Sequence, residues 1–559
     1  MEERQFSEEE VQDLTDRVFL LKNRIEEGKF HVVEHLAEGF TESLRAVRLR
    51  HDGKVDPHSV DGRIRAATLA IRAMQHREDS KRAISLARIQ SEYFNYLFAQ
   101  FDWLYAELRK PNATPARIAA VAAANENIVK SVMVALPEIA DDLREFWKAV
   151  TEAGAFHLQD GRQLKTTFAG DLFPAHWENA VSTAGLYVDT IILPCPVMRI
   201  APLIGLAPDR DVVSMLIKHV VTAMTYRDVA TADIDPPIVL ILPNEEDVIS
   251  QDRQGLVRRA NPAVLKHAAH LFQRPFESIE ALGEFCGSLG TVEQVLAELK
   301  VPERLLFDTD WEPGASAQLQ RSLHDRVFAM PGVDPTVAGN HVFEACLGRM
   351  PQALAAQEKA LQIGATPLIN AETSWRYYTW LLEYQGVESK TAPHGRESMH
   401  VVRAMVAERG NNLAWLGNVP VETVVEIRRK GLTDEVRALL GKGISELIHI
   451  DPDNYFRTAD QVVDNLDRAF QEHQKQLLEA KAKKLKLFGI DVASCVTFGA
   501  IGVAAALTSN PSLGVVSAIA GVAGLPNLKD IKSKFSDILA EDRARRSSPT
   551  GLLFRHVRN

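Results

Sequence analysis

"GLYVDTIILPCPV" (Gly185 to Val197) is the stretch that sets the fold class. Its apolar residues follow one another instead of alternating, so a strand built from it is covered on both faces, as in parallel sheets. "PPIVLILPN" (Pro236 to Asn244) has the same character, and "ATPLIN" (Ala365 to Asn370) is short enough to add one more strand to the same sheet. With helical segments between these runs, residues 155–245 are expected to form a small α/β unit, with a strand near 365–370 contributed from further along the chain.

The surrounding sequence reads as helix. Ser7 and Glu10 in "SEEE" have capping-box spacing before a periodic run that Gly28 should end. In "NATPARIAA", Thr114 occupies a cap position and Pro115 the first helical position. Residues 1–154 are therefore expected to form an N-terminal helical domain and 246–450 a second one. Within the latter, a helix opens at Pro420 and stops at Gly431. Residues 451–487 carry a long amphipathic helix, 488–528 a hydrophobic hairpin and 529–559 a basic helix and tail. The expected fold class is mainly α: helical bundles, a small central α/β unit and a C-terminal Gly/Ala-rich hydrophobic helical hairpin.

The chain has 559 residues, 46% of them hydrophobic and 25% charged, with a formal charge of -10. That is too long for one core and suggests roughly three or four domains. The acidic balance disfavours nucleic acid as a nonspecific partner. Cys195, Cys286, Cys346 and Cys495 are widely spaced, and "MEERQFSEEEV" lacks the basic and apolar regions of a signal peptide, so a cytoplasmic setting with free thiols is expected.

Few motifs carry chemistry. "HVVEH" (His31 to His35) matches the pattern of inverted zinc peptidases: on a helix, His31 and His35 are one turn apart, Glu34 can activate a bound water, and Glu107 is the acid to test as third ligand. Asp189, the run Glu245, Glu246 and Asp247, and the pair Asp308 and Asp310 form an acid set near expected strand ends, the kind of oxygen-rich grouping that holds Mg²⁺ in metal-dependent nucleases. No phosphate-binding glycine loop or nucleophile elbow is present, and "GSLGTVEQ" (Gly287 to Gln294) is a poor substitute for one. "WRYYTWLLEY" (Trp375 to Tyr384) has one basic residue, Arg376, and reads as a core or interface helix. No cofactor is expected beyond the Zn or Mg that those two sets would hold.

The segment Phe488 to Leu528 contains one charge, Asp491. Two apolar arms of 16 and 13 residues, Val492 to Leu507 and Leu513 to Leu525, flank the turn "TSNPS". Each is shorter than the roughly 20 residues of a full membrane crossing, which leaves a tilted or re-entrant hairpin, or burial in the protein or an oligomer. Gly499, Gly502, Gly514, Gly521 and Gly524 each cost about 1 kcal/mol of helix propensity relative to alanine, a loss that close helix contact offsets. Lys484 and Lys486 precede the hairpin and Lys529 and Lys532 follow it, which keeps both ends on the cytoplasmic side. The pattern resembles the hydrophobic hairpin of pore-forming bacterial toxins over about 60 residues. It implies a non-enzymatic sensor and effector of a bacterial-type cytoplasm, by architectural analogy a conflict or phage-defence component, whose hairpin meets the inner membrane on activation. The alternatives are a soluble oligomeric scaffold with the hairpin as interface, and a metal-dependent hydrolase or nuclease. A protein partner or homo-oligomer is expected, and the sequence identifies no small-molecule ligand.

Overall fold

The computed structural model describes residues 5–169, 180–243, 250–325, 333–385 and 421–442 apart from single positions, together with Val401, much of 461–476 and Ser548. The hairpin glycines and lysines, the acids 245–247 and Cys495 lie outside the described residues. Within them the protein is mainly helical around one small sheet.

Two compact units emerge: residues 1–92 with 148–161, and residues 93–147 with 162–559. Residues 93–147, assigned by sequence to the N-terminal helical domain, thus cluster with the sheet-bearing unit. In the first unit, α1 (Glu8–Glu26), α2 (Glu34–Ala46) and α3 (Gly62–Ala83) close on Leu14, Leu21, Val55, Ile64 and Ile71. The capping box is present in full: Ser7 Oγ accepts from the Glu10 amide at 3.2 Å while Glu10 Oε2 accepts from the Ser7 amide at 2.8 Å. Gly28 takes φ +68° just past the helix, the left-handed conformation a side chain would resist. α4 (Leu86–Tyr105) and α6 (Glu126–Asp160) run through both units; α5 (Pro115–Ala123) belongs to the second and starts as expected, with Thr114 Oγ1 accepting from the Arg117 amide.

The second unit is built on four parallel strands in the order β3-β2-β1-β4: β1 (Lys165–Phe168), β2 (Thr190–Leu193), β3 (Val239–Ile241) and β4 (Thr366–Leu368). Every strand residue is buried, in keeping with the mostly apolar character of the quoted runs. Three strands fall where the sequence places them. β1, one of the two interior strands, is "KTTF", with no apolar run to announce it; Thr166 Oγ1 satisfies itself by donating to the Thr366 carbonyl at 2.8 Å.

Between β1 and β2 runs α7 (Ala180–Gly185), and between β2 and β3 run α8 (Pro196–Ile200), α9 (Asp209–Thr225) and α10 (Arg227–Ala230). Between β3 and β4 the chain makes a helical excursion: α11 (Ser250–Phe272), α12 (Ile279–Gly287), α13 (Val292–Glu298), α14 (Ala315–Asp325) and α15 (Ala338–Gln362). These, with α16 (Glu372–Gln385), share one core that includes Val264, Leu271, Phe307, Val342, Met350 and Trp375. "GSLGTVEQ" is a helix start: Thr291 and Gln294 cap α13 reciprocally. The aromatic run Trp375 to Tyr384 is core, as its lack of basic neighbours suggested. Finally α17 (Val421–Arg429) and α18 (Thr433–Gly441) pack beside the sheet, with α17 so close to α7 that a Cβ on Gly185 would lie 3.1 Å from Val424 Cγ1. Gly431, at φ +66°, separates the two helices. The described positions of 461–476 are helical, within the long helix expected there.

Candidate functional site

From β1 the chain steps to β2 and β3 on one side, then returns to place β4 on the other. In open parallel sheets such a reversal leaves a crevice outside the carboxyl ends of the two strands that flank it, and ligands settle there. Here those strands are β1 and β4. The Ala169 amide donates to the Leu368 carbonyl at 3.1 Å and holds their ends together, and α16 starts three residues beyond Ile369 at Glu372.

The segment carrying Asp308 and Asp310 is fastened at this end. The Thr309 amide donates to Thr373 Oγ1 at 2.9 Å, and the two hydroxyls are 3.1 Å apart. Asp308 has a local duty, because its Oδ1 accepts from the Asp310 amide at 2.9 Å, while Gln318 accepts from its amide at 3.0 Å and donates to its carbonyl at 2.8 Å. Glu372, also here, pairs with Arg376 at 3.1 Å.

Asp189 belongs to the opposite end. It precedes β2 at its amino terminus; its carboxylate accepts from Arg428 Nη1 at 2.6 Å and the Leu164 amide at 2.8 Å, and Arg437 Nη2 forms an ion pair with it at 2.6 Å. Arg428 reaches onward to the Gly185 and Val188 carbonyls and to Thr433 Oγ1, and Arg437 Nε donates to the Tyr187 carbonyl at 2.5 Å. Burial pulls the Arg428 guanidinium down to about 10, against the opposing field of Asp189. This cluster ties α17 and α18 to the sheet. Sequence reasoning grouped Asp189 with Asp308 and Asp310 as metal ligands; the structure places them at opposite ends of the strands, with Asp189 already neutralised.

His31 is exposed and lies before α2, which begins only at Glu34, so His31 and His35 do not share a helical turn. The chain breaks helix at Gly28, and three residues are too few to restart it. Glu107 is in the other compact unit, paired with Lys110. Among the described residues no three His, Cys, Asp or Glu side chains gather as metal ligands would.

Two buried polar groupings escaped the sequence reading. Ser322 Oγ lies 2.8 Å from His341 Nδ1, and His341 Nε2 lies 2.9 Å from the Pro335 carbonyl. The carbonyl can only accept, so Nε2 carries the proton and Ser322 donates to Nδ1. The pair has the elements of a nucleophile and its base. Both residues are completely buried, however, and what they accomplish is to join α14 to α15.

The second is a chain from Arg304 through Tyr384 to His267, with each step 2.8 Å. Arginine only donates, so Tyr384 turns its own hydrogen to His267 Nδ1 and leaves the imidazole proton on Nε2, which is buried and unpartnered. Burial, with Arg304 and His270 adding to it, pushes His267 down to about 3, so the ring stays neutral. The ring stacks on Trp380 at 5.3 Å. Residues 117 apart in sequence meet here, and no local pattern announces that.

The three described cysteines, Cys195, Cys286 and Cys346, are buried free thiols. No single described helix is long and apolar enough to cross a membrane, although the bent pair α5 and α6, at 101°, meets that test by length and composition. These features define a mainly helical protein with a small parallel sheet whose strand order reverses between β1 and β4. No family model, curated protein or solved structure matches the chain.

Proposed function

We propose that this protein is a non-enzymatic sensor and effector: its folded body takes a signal at the carboxyl end of the parallel sheet, and the segment 488–528 then joins the cytoplasmic face of a membrane as a hydrophobic helical hairpin. The observation that carries the reading is the segment itself, with Asp491 as its one charge and lysines on both flanks. The reversal of strand order beside β1 supports a binding role for the body by fold-level analogy. Conflict and phage defence in a bacterial-type cytoplasm is the biological setting that this combination suits.

Membrane fractionation of the full chain beside a deletion of 488–528, with carbonate extraction of the pellet, tests the reading. Carbonate-resistant pelleting that vanishes with the deletion is expected once the trigger is present. If overexpressed protein stays soluble in both forms and the deletion changes the oligomer mass, the hairpin is an interface and the membrane role is wrong.

A further inference from the structure

Where α4 ends and α5 begins, the second unit holds a cavity of about 350 Å³. Small-molecule sites are clefts of roughly 300–1,000 Å³, mostly apolar with a few placed polar groups, and this one fits that description at its lower end. Its walls are apolar: Trp103 and Leu104 from α4, Ile118 and Val121 from α5, Ile128 from α6. Trp103 is 49% exposed and Val121 65%, so large apolar side chains stand in water beside an apolar hollow.

Three charged side chains border it: Glu107, Lys110 and Arg117. Glu107 and Lys110 neutralise each other. The Arg117 guanidinium makes no hydrogen bond or ion pair with a described residue, although its amide is used by the Thr114 cap. It stands in the first turn of α5, where the helix dipole adds to its positive charge. The cavity therefore presents apolar walls and one net cation at its edge.

We propose that this corner binds a single-chain amphiphile with an anionic head, of the medium-chain carboxylate class, with the chain in the cavity and the head on Arg117. A volume at the lower end of the range admits one chain more readily than a two-chain lipid. The site stands apart from the sheet crevice, and the proposal holds or fails independently of the membrane reading above.

Calorimetric titration of the full chain with dodecanoate below its micelle concentration, beside the neutral analogue dodecanol and vesicles of phosphatidylglycerol, tests it. Dodecanoate should bind about three- to fivefold more tightly than dodecanol, the size expected of an exposed charge pair. Arg117→Gln should bring dodecanoate to the dodecanol level. Val121→Trp, a change at an exposed position that closes the mouth, should abolish binding of both. Equal affinity for acid and alcohol, or binding that survives Val121→Trp, overturns the proposal. Binding of the vesicles without binding of free dodecanoate also overturns it, and makes the corner a membrane contact.

Discussion

Replacing Asp189 by asparagine removes the one negative charge on which two arginines converge. The side chain of Arg428 is 6% exposed and that of Asp189 14%, so both charges are largely out of water. Asparagine keeps the size and one acceptor but leaves the guanidiniums facing each other without their counter-ion. Removing one partner of a buried ion pair costs about 3–5 kcal/mol. The lower end applies here, because Arg437 keeps Asp434 at 3.1 Å as a second partner. About 3 kcal/mol corresponds to a population change on the order of 100-fold. Hydrogen exchange at neutral pH reads it locally: amides in α17 and α18 should exchange faster by on the order of 100-fold, while α1 to α3 in the other unit are unchanged. Arg428→Met should cost less than Asp189→Asn, since Asp189 would retain Arg437 and the Leu164 amide and lose a cation already disfavoured by burial. The double variant should then be less damaged than the sum of the two. Additive losses, or an exchange rate in 421–441 that moves less than threefold in Asp189→Asn, would refute the clamp.

His267 makes the fold acid-sensitive. Its folded-state value near 3 lies below the unfolded value near 6.5, so the unfolded chain binds the extra proton between those limits; the contribution is complete above about pH 6.5 and is lost as pH falls toward 3. From pH 7 to pH 5 that is about 2 kcal/mol, and His267→Phe should lose that much less than the parent in thermal melts at the two pH values; equal losses would show that the imidazole is not held neutral. At Gly339, whose amide donates to the Leu289 carbonyl at 2.9 Å, an added Cβ would overlap the Cys286 carbonyl oxygen, so Gly339→Ala should force α12 from α15 and destabilise by about 1–3 kcal/mol. A melting temperature matching the parent's would rule that contact out. For the hairpin, Gly502→Leu with Gly521→Leu should remove carbonate-resistant pelleting through lost helix contact, and unchanged pelleting would mean that the glycines are not its seam.

Much of the fold was legible because its signals are local. The Ser7–Glu10 box, the Thr114–Pro115 start and the Gly28 and Gly431 stops each depend on a few neighbouring residues, and all four appear as read. The strands at 190–193, 239–241 and 366–368 were visible because they fall in mostly apolar runs, which suit burial on both faces. β1 was not, because Thr166 meets its polar demand through a residue 200 positions away. Asp189 and the pair Asp308 and Asp310 do not meet, for a related reason. Strand ends come in two kinds, amino and carboxyl, and the spacing of Asp189, Asp308 and Asp310 does not say which end each occupies.

The strand order explains why so much of the second unit depends on distant contacts. β1 is an interior strand, yet its partner β4 comes after the excursion through α11 to α15, so their pairing requires that excursion to bring in both β4 and the Thr309–Thr373 tie. The amino end of β2 likewise waits for α17 and α18 to bring Arg428 and Arg437 onto Asp189. Both ends of the four-stranded sheet are thus completed by chain that comes after β3 in sequence. Loosening either the excursion or the clamp should therefore alter the sheet without touching a strand.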